Sequence, residues 1–196
     1  MDQPVKLMLF GAGNRGADSY GRYALAHPNE VKFIAVAEPD PVRREKFARD
    51  HQIPVERQFH TWQEALEAKV SADAVLDATQ DEMHHDSAIA ALQAGYDMLL
   101  EKPIAPTLKE TLEIIRTAEE LGRTLVICHV LRFTDFFSKV NEIVKSGRLG
   151  KVVHISHSEN VSYYHMAHSY VRGNWRNTEI ADRKSTRLNS SHRIRY

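Results

Sequence analysis

The feature that most constrains this chain is an apolar run that ends in three spaced glycines. Residues 6 to 10 have the composition of a short buried strand, and Gly11-Ala12-Gly13-Asn14-Arg15-Gly16 follows directly. Residues 17 to 26 then have the composition of a helix, although Gly21 interrupts it. A strand, a glycine turn and a helix in this order are typical of a unit that binds a dinucleotide. A glycine-rich turn without a ligand is the alternative interpretation.

Each residue of the turn has a physical task in this interpretation. Gly11 permits the tight turn, Gly13 lets the backbone approach a diphosphate, and Gly16 lets the helix pack closely on the strand. The N–H groups of Asn14 and Arg15 lie at the start of the helix, where they face an anion. We therefore expect all five residues to bind the cofactor.

Further along the chain, apolar segments with strand composition alternate with helical segments. This alternation predicts an α/β fold, a doubly wound parallel Rossmann sheet. We take the segment at 124–130 as the sixth strand, which completes two βαβαβ halves, although only five strands are located in the sequence. Strands are predicted at 31–37, 73–79, 96–100 and 124–130, and helices at 41–50, from Thr61, at 86–94 and from Thr107 to Leu121. The last helix has a predicted apolar stripe of Leu108, Leu112, Ile115, Ala118 and Leu121.

Glu38 follows the second predicted strand, about 20 residues past the glycines, where a Rossmann unit places an acid on the adenosine ribose. A carboxylate at this position also repels a 2′-phosphate, which favours NAD over NADP. Arg43 and Arg44 are close enough in sequence to soften that preference, so NADP remains the alternative cofactor. A solvated acid at a strand end is the other interpretation of Glu38.

The segment that follows the strand at 96–100 makes the assignment more specific. Glu101-Lys102-Pro103-Ile104-Ala105, the glycine turn, Glu38 and the loop from Thr79 to His84 together resemble the Gfo/Idh/MocA family. The resemblance covers about residues 5 to 180. It implies an enzyme that uses NAD or NADP to oxidise or reduce a sugar, a cyclitol or a similar polyol.

The resemblance also implies roles for individual residues. Lys102 matches a lysine that contacts both substrate and cofactor, and the proline after it often has a cis peptide bond. Oxidation of a secondary alcohol requires the hydroxyl proton to leave, so we expect Lys102 to be catalytic as a member of the proton relay. Thr79, Gln80 and His84 are expected beside the cofactor ribose or nicotinamide, and Glu101 is expected to contact the cofactor or to orient Lys102. An exposed lysine without a function is the alternative for Lys102.

The second part of the chain has fewer signals. We expect a helix at 136–145 and a strand at 151–159, which would begin an α+β substrate domain that family members also use for oligomerisation. Its candidate substrate residues are Arg132, Tyr164, His165 and Arg172. Histidines at 154, 157, 165 and 168 suggest a metal site, but three-residue spacing in a strand points side chains to opposite faces. No metal is therefore expected.

Residues 182 to 192 resemble something other than a protein sequence. Asp-Arg-Lys-Ser-Thr-Arg-Leu-Asn-Ser-Ser-His has no helical or strand period and reads as the in-frame translation of a common DNA sequencing adapter. We therefore expect 182–196 to be a non-native tail, after a Rossmann domain at 1–130 and an incomplete second domain at 131–181. A natural basic tail is the alternative.

Composition then limits the partners. The tail contains five of the 26 basic residues and one of the 26 acidic ones, so the rest of the chain has 21 against 25, a net charge of −4. This balance does not favour nucleic acid as a partner. There is no run of 18 apolar residues, no leader sequence and only one cysteine. These features predict a cytoplasmic protein that does not bind a membrane.

These observations predict an NAD(P)-dependent oxidoreductase that transfers hydride between nicotinamide and a secondary alcohol of a sugar or cyclitol. The family's Asp-x-x-x-His-type motif, which supplies the relay histidine, normally comes shortly after about residue 181 and is not found there. We therefore expect this chain to be an incomplete, inactive part of a longer, homo-oligomeric parent enzyme. Two alternatives remain: an NAD-dependent glycosidase that uses transient oxidation, and a non-catalytic nucleotide-binding regulator.

Overall fold

The structure is a computed structural model that describes residues 3–158, 160 and 162–172. The chain divides into two compact units, Met1–Cys128 and His129–Tyr196. The predicted tail at 182–196 lies outside the described residues.

The first unit is built on one six-stranded sheet in which every neighbouring pair of strands is parallel. The strand order is β3-β2-β1-β4-β5-β6, which is the order of a doubly wound Rossmann sheet. The predicted fold class is therefore confirmed for this unit. The strands are β1 (Val5–Phe10), β2 (Val31–Ala37), β3 (Gln58–Phe59), β4 (Ala74–Asp77), β5 (Asp97–Leu100) and β6 (Leu125–Ile127).

Helices connect the strands. The first helical segment begins with π-type winding at Asn14–Gly21 and continues as α1 (Arg22–Ala26), so it starts three residues before the predicted position. Side-chain caps fix the start of three later helices: Asp40, Thr61 and Thr107 each accept a backbone N–H of the first turn. These helices are α2 (Pro41–Asp50), α3 (Trp62–Glu67) and α5 (Leu108–Glu120), with α4 (His84–Gln93) between the last two.

The core lies on both faces of the sheet. Successive residues of β1 alternate between two clusters: Met8 and Phe10 belong to one, and Leu7 and Leu9 to the other. Because helices cover both faces, the centre of β1 is buried on both sides, as its uninterrupted apolar sequence predicts. This packing on both faces fixes the positions of the ends of the central strands.

The predicted apolar stripe of α5 is only partly right, since Ala118 is buried and Ile115 is half-buried but the three leucines are exposed. Ile114 and Ala118 are buried, whereas Leu108, Leu112 and Leu121 are 74%, 40% and 43% exposed. Helical spacing fixes the distance between apolar residues, but it does not decide which of two adjacent faces contacts the sheet. The face that packs is rotated towards Ile114.

The second unit contains a short 3-10 turn at Val130–Phe133, α6 (Asp135–Lys145), α7 (Tyr163–His165) and a π-helical segment at Met166–Arg172. The predicted strand at 151–159 is not observed, because residues 151–158 have no strand structure. A strand is stabilised by hydrogen bonds to a neighbour, and no described strand pairs with this segment. Within the described ranges, no helix is long and apolar enough to cross a membrane.

Candidate functional site

The carboxyl ends of the parallel strands meet at one edge of the sheet, where doubly wound folds bind ligands. The strand order reverses between β1 and β4, and a cavity of about 370 Å³ lies at the ends of β1, β2 and β4. This volume is within the usual range for a small-molecule site. Its lining consists of Phe10, Gly11, Gly13, Ala37, Glu38, Pro39, Arg43, His60, Thr61, Trp62, Gln63, Ala78, Thr79, Gln80 and Met83.

The three glycines of the turn differ in what a side chain would meet. Gly11 has a φ of +83°, and a Cβ there would lie 2.7 Å from the carbonyl oxygen of Ala78. A Cβ on Gly16 would clash with the carbonyl oxygen of Gly11. Gly13 is different, because a Cβ there would meet no protein atom within 4 Å. The space beside Gly13 is open on the cavity side, which suits a ligand that approaches the backbone.

Glu38 holds the turn from the end of β2. It is only 3% exposed, and its Oε2 accepts the backbone N–H of Ala12 at 2.8 Å. Its Oε1 accepts the N–H of Asp40 at 3.0 Å and the guanidinium of Arg43 at 2.8 Å. The structure therefore places Glu38 in the cavity wall, where it is also a structural partner of the glycine turn and of Arg43.

The loop after β4 brings Thr79 and Gln80 to the same cavity. The hydroxyl and the N–H of Thr79 both donate to Asp77, at 2.7 and 3.0 Å. Asp77 is fully buried and also accepts the hydroxyl of Ser87. Asp77 therefore holds the loop in place, and both hydrogen-bond donors of Thr79 are occupied by its carboxylate.

His84 is the first residue of α4 and does not line the cavity. It is 1% exposed, and its Nδ1 lies 2.7 Å from the carbonyl oxygen of Pro103. A carbonyl oxygen only accepts, so Nδ1 carries the proton and donates. Its Nε2 is buried and has no hydrogen-bond partner among the described residues. His84 thus contacts the segment that carries Lys102, in which the Lys102–Pro103 peptide bond is cis, as the family resemblance implied.

Glu101 and Lys102 follow β5. Glu101 is 6% exposed, and its carboxylate contacts Tyr20, Arg15 and the backbone N–H of Lys102. The Lys102 side chain is exposed, and within the described part of the chain its ammonium group forms no hydrogen bond or ion pair. Lys102 is therefore a cation on a fixed backbone with its amine available to a ligand.

The remaining predicted cofactor residues lie at the start of the first helix. Asn14 is exposed, and its amide donates to Asp18 at 3.1 Å. Arg15 is half-exposed and reaches Glu101, with 3.3 Å between its Nε and Oε1 of Glu101. Neither residue lines the cavity at the β1, β2 and β4 ends. The predicted cofactor residues thus form two groups, one around the cavity and one around Glu101.

The predicted substrate residues all lie in the second unit. Arg132, Tyr164 and Arg172 are exposed, and the ring of Tyr164 stacks on that of His168 with 5.9 Å between centroids. The structure does not describe the side chain of His165. Among the side chains that the structure does describe, no group of three or more histidine, cysteine or acidic residues is placed to hold a metal ion.

Sequence reasoning missed the side of the cavity built by His60, Thr61, Trp62 and Gln63. These residues follow β3, which consists of only Gln58 and Phe59 and was not located in the sequence. Once β3 is known to be parallel to β2, its carboxyl end must lie at the ligand-binding edge. The capping residue Thr61 was the one local signal in this segment.

The sheet order, the glycine turn and the cavity define a nucleotide-binding α/β domain of the Rossmann class. A family model described as the oxidoreductase family with an NAD-binding Rossmann fold, Gfo/Idh/MocA, matches residues 5–129. The chain belongs to this family. The resemblance inferred from the glycine turn and from Glu101-Lys102-Pro103 is thereby confirmed.

Individual relatives agree with this assignment. An inositol 2-dehydrogenase from Corynebacterium glutamicum is 28% identical over 154 residues, which are 78% of this chain and 44% of that enzyme. Two solved structures share the fold. A myo-inositol 2-dehydrogenase from Lactobacillus plantarum has a TM-score of 0.72 at 18% identity, over 87% of this chain and 49% of the other. An inositol dehydrogenase homologue from Azotobacter vinelandii in complex with NAD⁺ has a TM-score of 0.73 at 20% identity, over 90% and 46%.

Proposed function

We propose that this chain is the cofactor-binding part of an NAD-dependent oxidoreductase that acts on a secondary alcohol of a sugar or cyclitol. The observation that carries the proposal is the link between the two halves of the site. Glu101 contacts Arg15 on the glycine turn and the backbone of Lys102, so the diphosphate-binding turn and the candidate catalytic lysine form one connected structure.

The residues fit a dinucleotide. The open space at Gly13 accommodates a diphosphate against the first amides of the helix, including those of Asn14, Arg15 and Gly16. The cavity beside Glu38, which Thr79 and Gln80 also line, has room for the adenosine. The Glu38 carboxylate favours the ribose hydroxyls of NAD, and Arg43 beside it leaves NADP as the second choice. When bound, NAD supplies the hydride acceptor of an alcohol oxidation.

The protein's contribution to the chemistry is proton transfer and orientation. Lys102 holds or releases a proton at Nζ, which is free of protein partners in the described structure. Glu101 fixes the Lys102 backbone through the 3.1 Å bond to its N–H, and His84 fixes the carbonyl oxygen of Pro103. Both ends of the segment are therefore held while the amine remains accessible.

The names of the relatives support the proposed substrate class. The Corynebacterium enzyme is named for inositol, a cyclitol whose carbinol carbons suit the proposed reaction. Arg132, Tyr164, His165 and Arg172 are the proposed substrate contacts. This chain spans less than half of that relative, so we propose turnover for the longer protein and not for this chain alone. As a separate proposal, the longer protein is a cytoplasmic homo-oligomer.

The test is the Lys102→Met variant, made both in this chain and in the parent protein. We expect NAD binding to survive and oxidation of inositol or a related polyol, followed by NADH absorbance, to fall by about 10²–10⁴-fold, the usual contribution of a positioned acid or base. Lys109→Met is the matched control, because Lys109 is a highly exposed lysine on α5. Equal activity in the Lys102 and Lys109 variants would refute the proposal.

Further assays of the parent protein separate the two alternatives. Release of a reducing sugar from a glycoside without net NADH formation would indicate a redox-assisted glycosidase. NAD binding without any turnover in the parent protein would indicate a nucleotide-binding regulator.

A further inference from the structure

We propose that Tyr20 is a positioning residue for the nicotinamide end of the cofactor site, acting through Glu101 on the backbone of Lys102. This inference rests on the proposed function, because it assumes that NAD binds across the glycine turn towards Lys102. Tyr20 lies on the first helical segment, seven residues after the Gly-Ala-Gly part of the turn, and no sequence motif singles it out.

The two oxygens of Glu101 face different parts of the molecule. Oε1 accepts the hydroxyl of Tyr20 at 2.8 Å and lies 3.3 Å from Nε of Arg15. Oε2 accepts the backbone N–H of Lys102 at 3.1 Å. The side chain of Glu101 is 7% exposed, so these contacts largely replace water around it. Burying a carboxylate is costly unless hydrogen bonds replace those it made to water. Loss of one partner should therefore shift Glu101 and its remaining contacts.

The winding of the first helical segment explains how both residues reach one oxygen. Arg15 and Tyr20 are five residues apart within Asn14–Gly21, which is wound as a π-helix. In an α-helix, residues with this separation point about 140° apart. Hydrogen bonds from i to i+5 bring them over one another instead, and such π-type turns often occur at functional sites. The irregular winding therefore serves the contact with Glu101.

Arg15 and Tyr20 differ in how firmly they hold Glu101. The Arg15 side chain is 48% exposed and lies at the start of the helix, where the diphosphate of NAD would compete for its guanidinium. Tyr20 is half-buried and uncharged, so the diphosphate does not attract it as it attracts the Arg15 guanidinium. Burial, followed by contacts with Cys128 and Glu101, raises the pKa of Tyr20 above its usual range, so its hydroxyl keeps the proton that it donates. Tyr20 therefore holds Glu101 when Arg15 pairs with the cofactor.

The expected effect is confined to one half of NAD. Tyr20, Glu101 and Lys102 do not line the cavity next to Glu38, where the adenosine would bind. Loss of the Tyr20 hydroxyl should therefore weaken binding of NAD, which has the nicotinamide, and leave binding of ADP-ribose, which lacks it, unchanged. A residue that only supported the fold would affect both ligands alike.

The experiment is calorimetric titration of the Tyr20→Phe variant of this chain with NAD and with ADP-ribose. We expect the dissociation constant for NAD to rise about tenfold, the effect of losing one hydrogen bond to a charged group. For ADP-ribose we expect a change of less than about twofold. Tyr23→Phe is the matched control, because Tyr23 lies on α1, which continues the helical segment of Tyr20, and its hydroxyl donates to the exposed Glu30 at 2.6 Å. Both ligands should bind this control as they bind the unchanged chain.

Glu101→Gln provides a second variant with the same expected selectivity. A glutamine has only one acceptor oxygen, so it cannot serve both the Tyr20 hydroxyl and the Lys102 N–H from opposite sides. An equal loss of NAD and ADP-ribose in both variants would assign the cluster to the fold and overturn the inference alone. Unchanged NAD affinity in Tyr20→Phe would also overturn it. A failure of the unchanged chain to bind either ligand would overturn the proposed function as well.

Discussion

The carboxylate of Glu38 accepts the backbone N–H of Ala12 at 2.8 Å and so joins the end of β2 to the glycine turn. Ala12 is 2% exposed, so the carboxylate takes the place of water as the partner of its N–H. An acid that sequence analysis assigned to the ribose therefore also determines the shape of the diphosphate site.

Replacing Glu38 with Ala should cost both stability and affinity. An unpaired buried N–H costs about 1–3 kcal/mol, so we expect the free energy of unfolding to fall by about this amount. NAD affinity should fall with it, because the turn is no longer held. Urea denaturation and calorimetry measure the two effects. Glu119→Ala, an exposed acid on α5, is the control. A Glu38 variant as stable as this control would show that the bond to Ala12 is not structural.

Gly13 and Gly16 should respond to alanine in opposite ways. A Cβ at Gly16 would clash with the Gly11 carbonyl oxygen, so we expect Gly16→Ala to lose about 1–3 kcal/mol of stability or more. Gly13 has a φ of −73° and open space, so Gly13→Ala should keep its stability or gain up to about 1 kcal/mol. Its new methyl group would nevertheless occupy the space for the diphosphate and abolish NAD binding.

Thermal unfolding and NAD titration of the two variants provide the comparison. Each variant is the control of the other, since both add one methyl group to the same turn. If Gly13→Ala bound NAD normally, the diphosphate could not approach the backbone at this position.

The glycine turn was predictable because its chemistry is local. The positive φ of Gly11 and the close approach of Gly16 to the Gly11 carbonyl arise within six residues, and the apolar run of β1 reflects burial on both faces. Glu38 was predictable for a related reason: the distance from the turn to the end of the second strand is set by one helix and its connections.

Features that depend on neighbours were not predictable. Strand β3 has two residues, too few for any periodicity, so the cavity wall at Thr61 and Trp62 remained unknown. The stripe of α5 was partly misplaced because the sheet selects the buried face. The segment at 151–158 alternates like a strand, but no partner strand is described for it. The contact between Tyr20 and Glu101 joins residues 81 positions apart.

His85 should make stability depend on pH. Burial alone would lower the pKa of His85, but hydrogen bonds to Asp86 and Glu113 outweigh it and raise the pKa. A pKa raised in the folded state stabilises the fold below the unfolded value of about 6.5. This contribution disappears as the pH rises through the higher, folded-state pKa.

The His85→Gln variant measures this contribution as a difference from the unchanged chain. Its loss of stability should be larger on the acidic side of about pH 6.5 than at alkaline pH. The difference is needed because burial lowers the pKa of His51, so protonation of His51 at acidic pH destabilises the fold. This effect is present in both proteins and cancels in the difference. Urea denaturation across this range is the measurement. A difference that does not change with pH would show that His85 is uncharged in its contacts with Asp86 and Glu113.

The most direct test of the proposed cofactor site is a crystal structure of this chain with NAD bound. We expect the diphosphate at the N–H groups next to Gly13, the adenosine in the cavity beside Glu38 and Trp62, and the nicotinamide ring next to the amine of Lys102. Density for NAD elsewhere on the sheet, or a nicotinamide ring pointing away from Lys102, would contradict the proposed site.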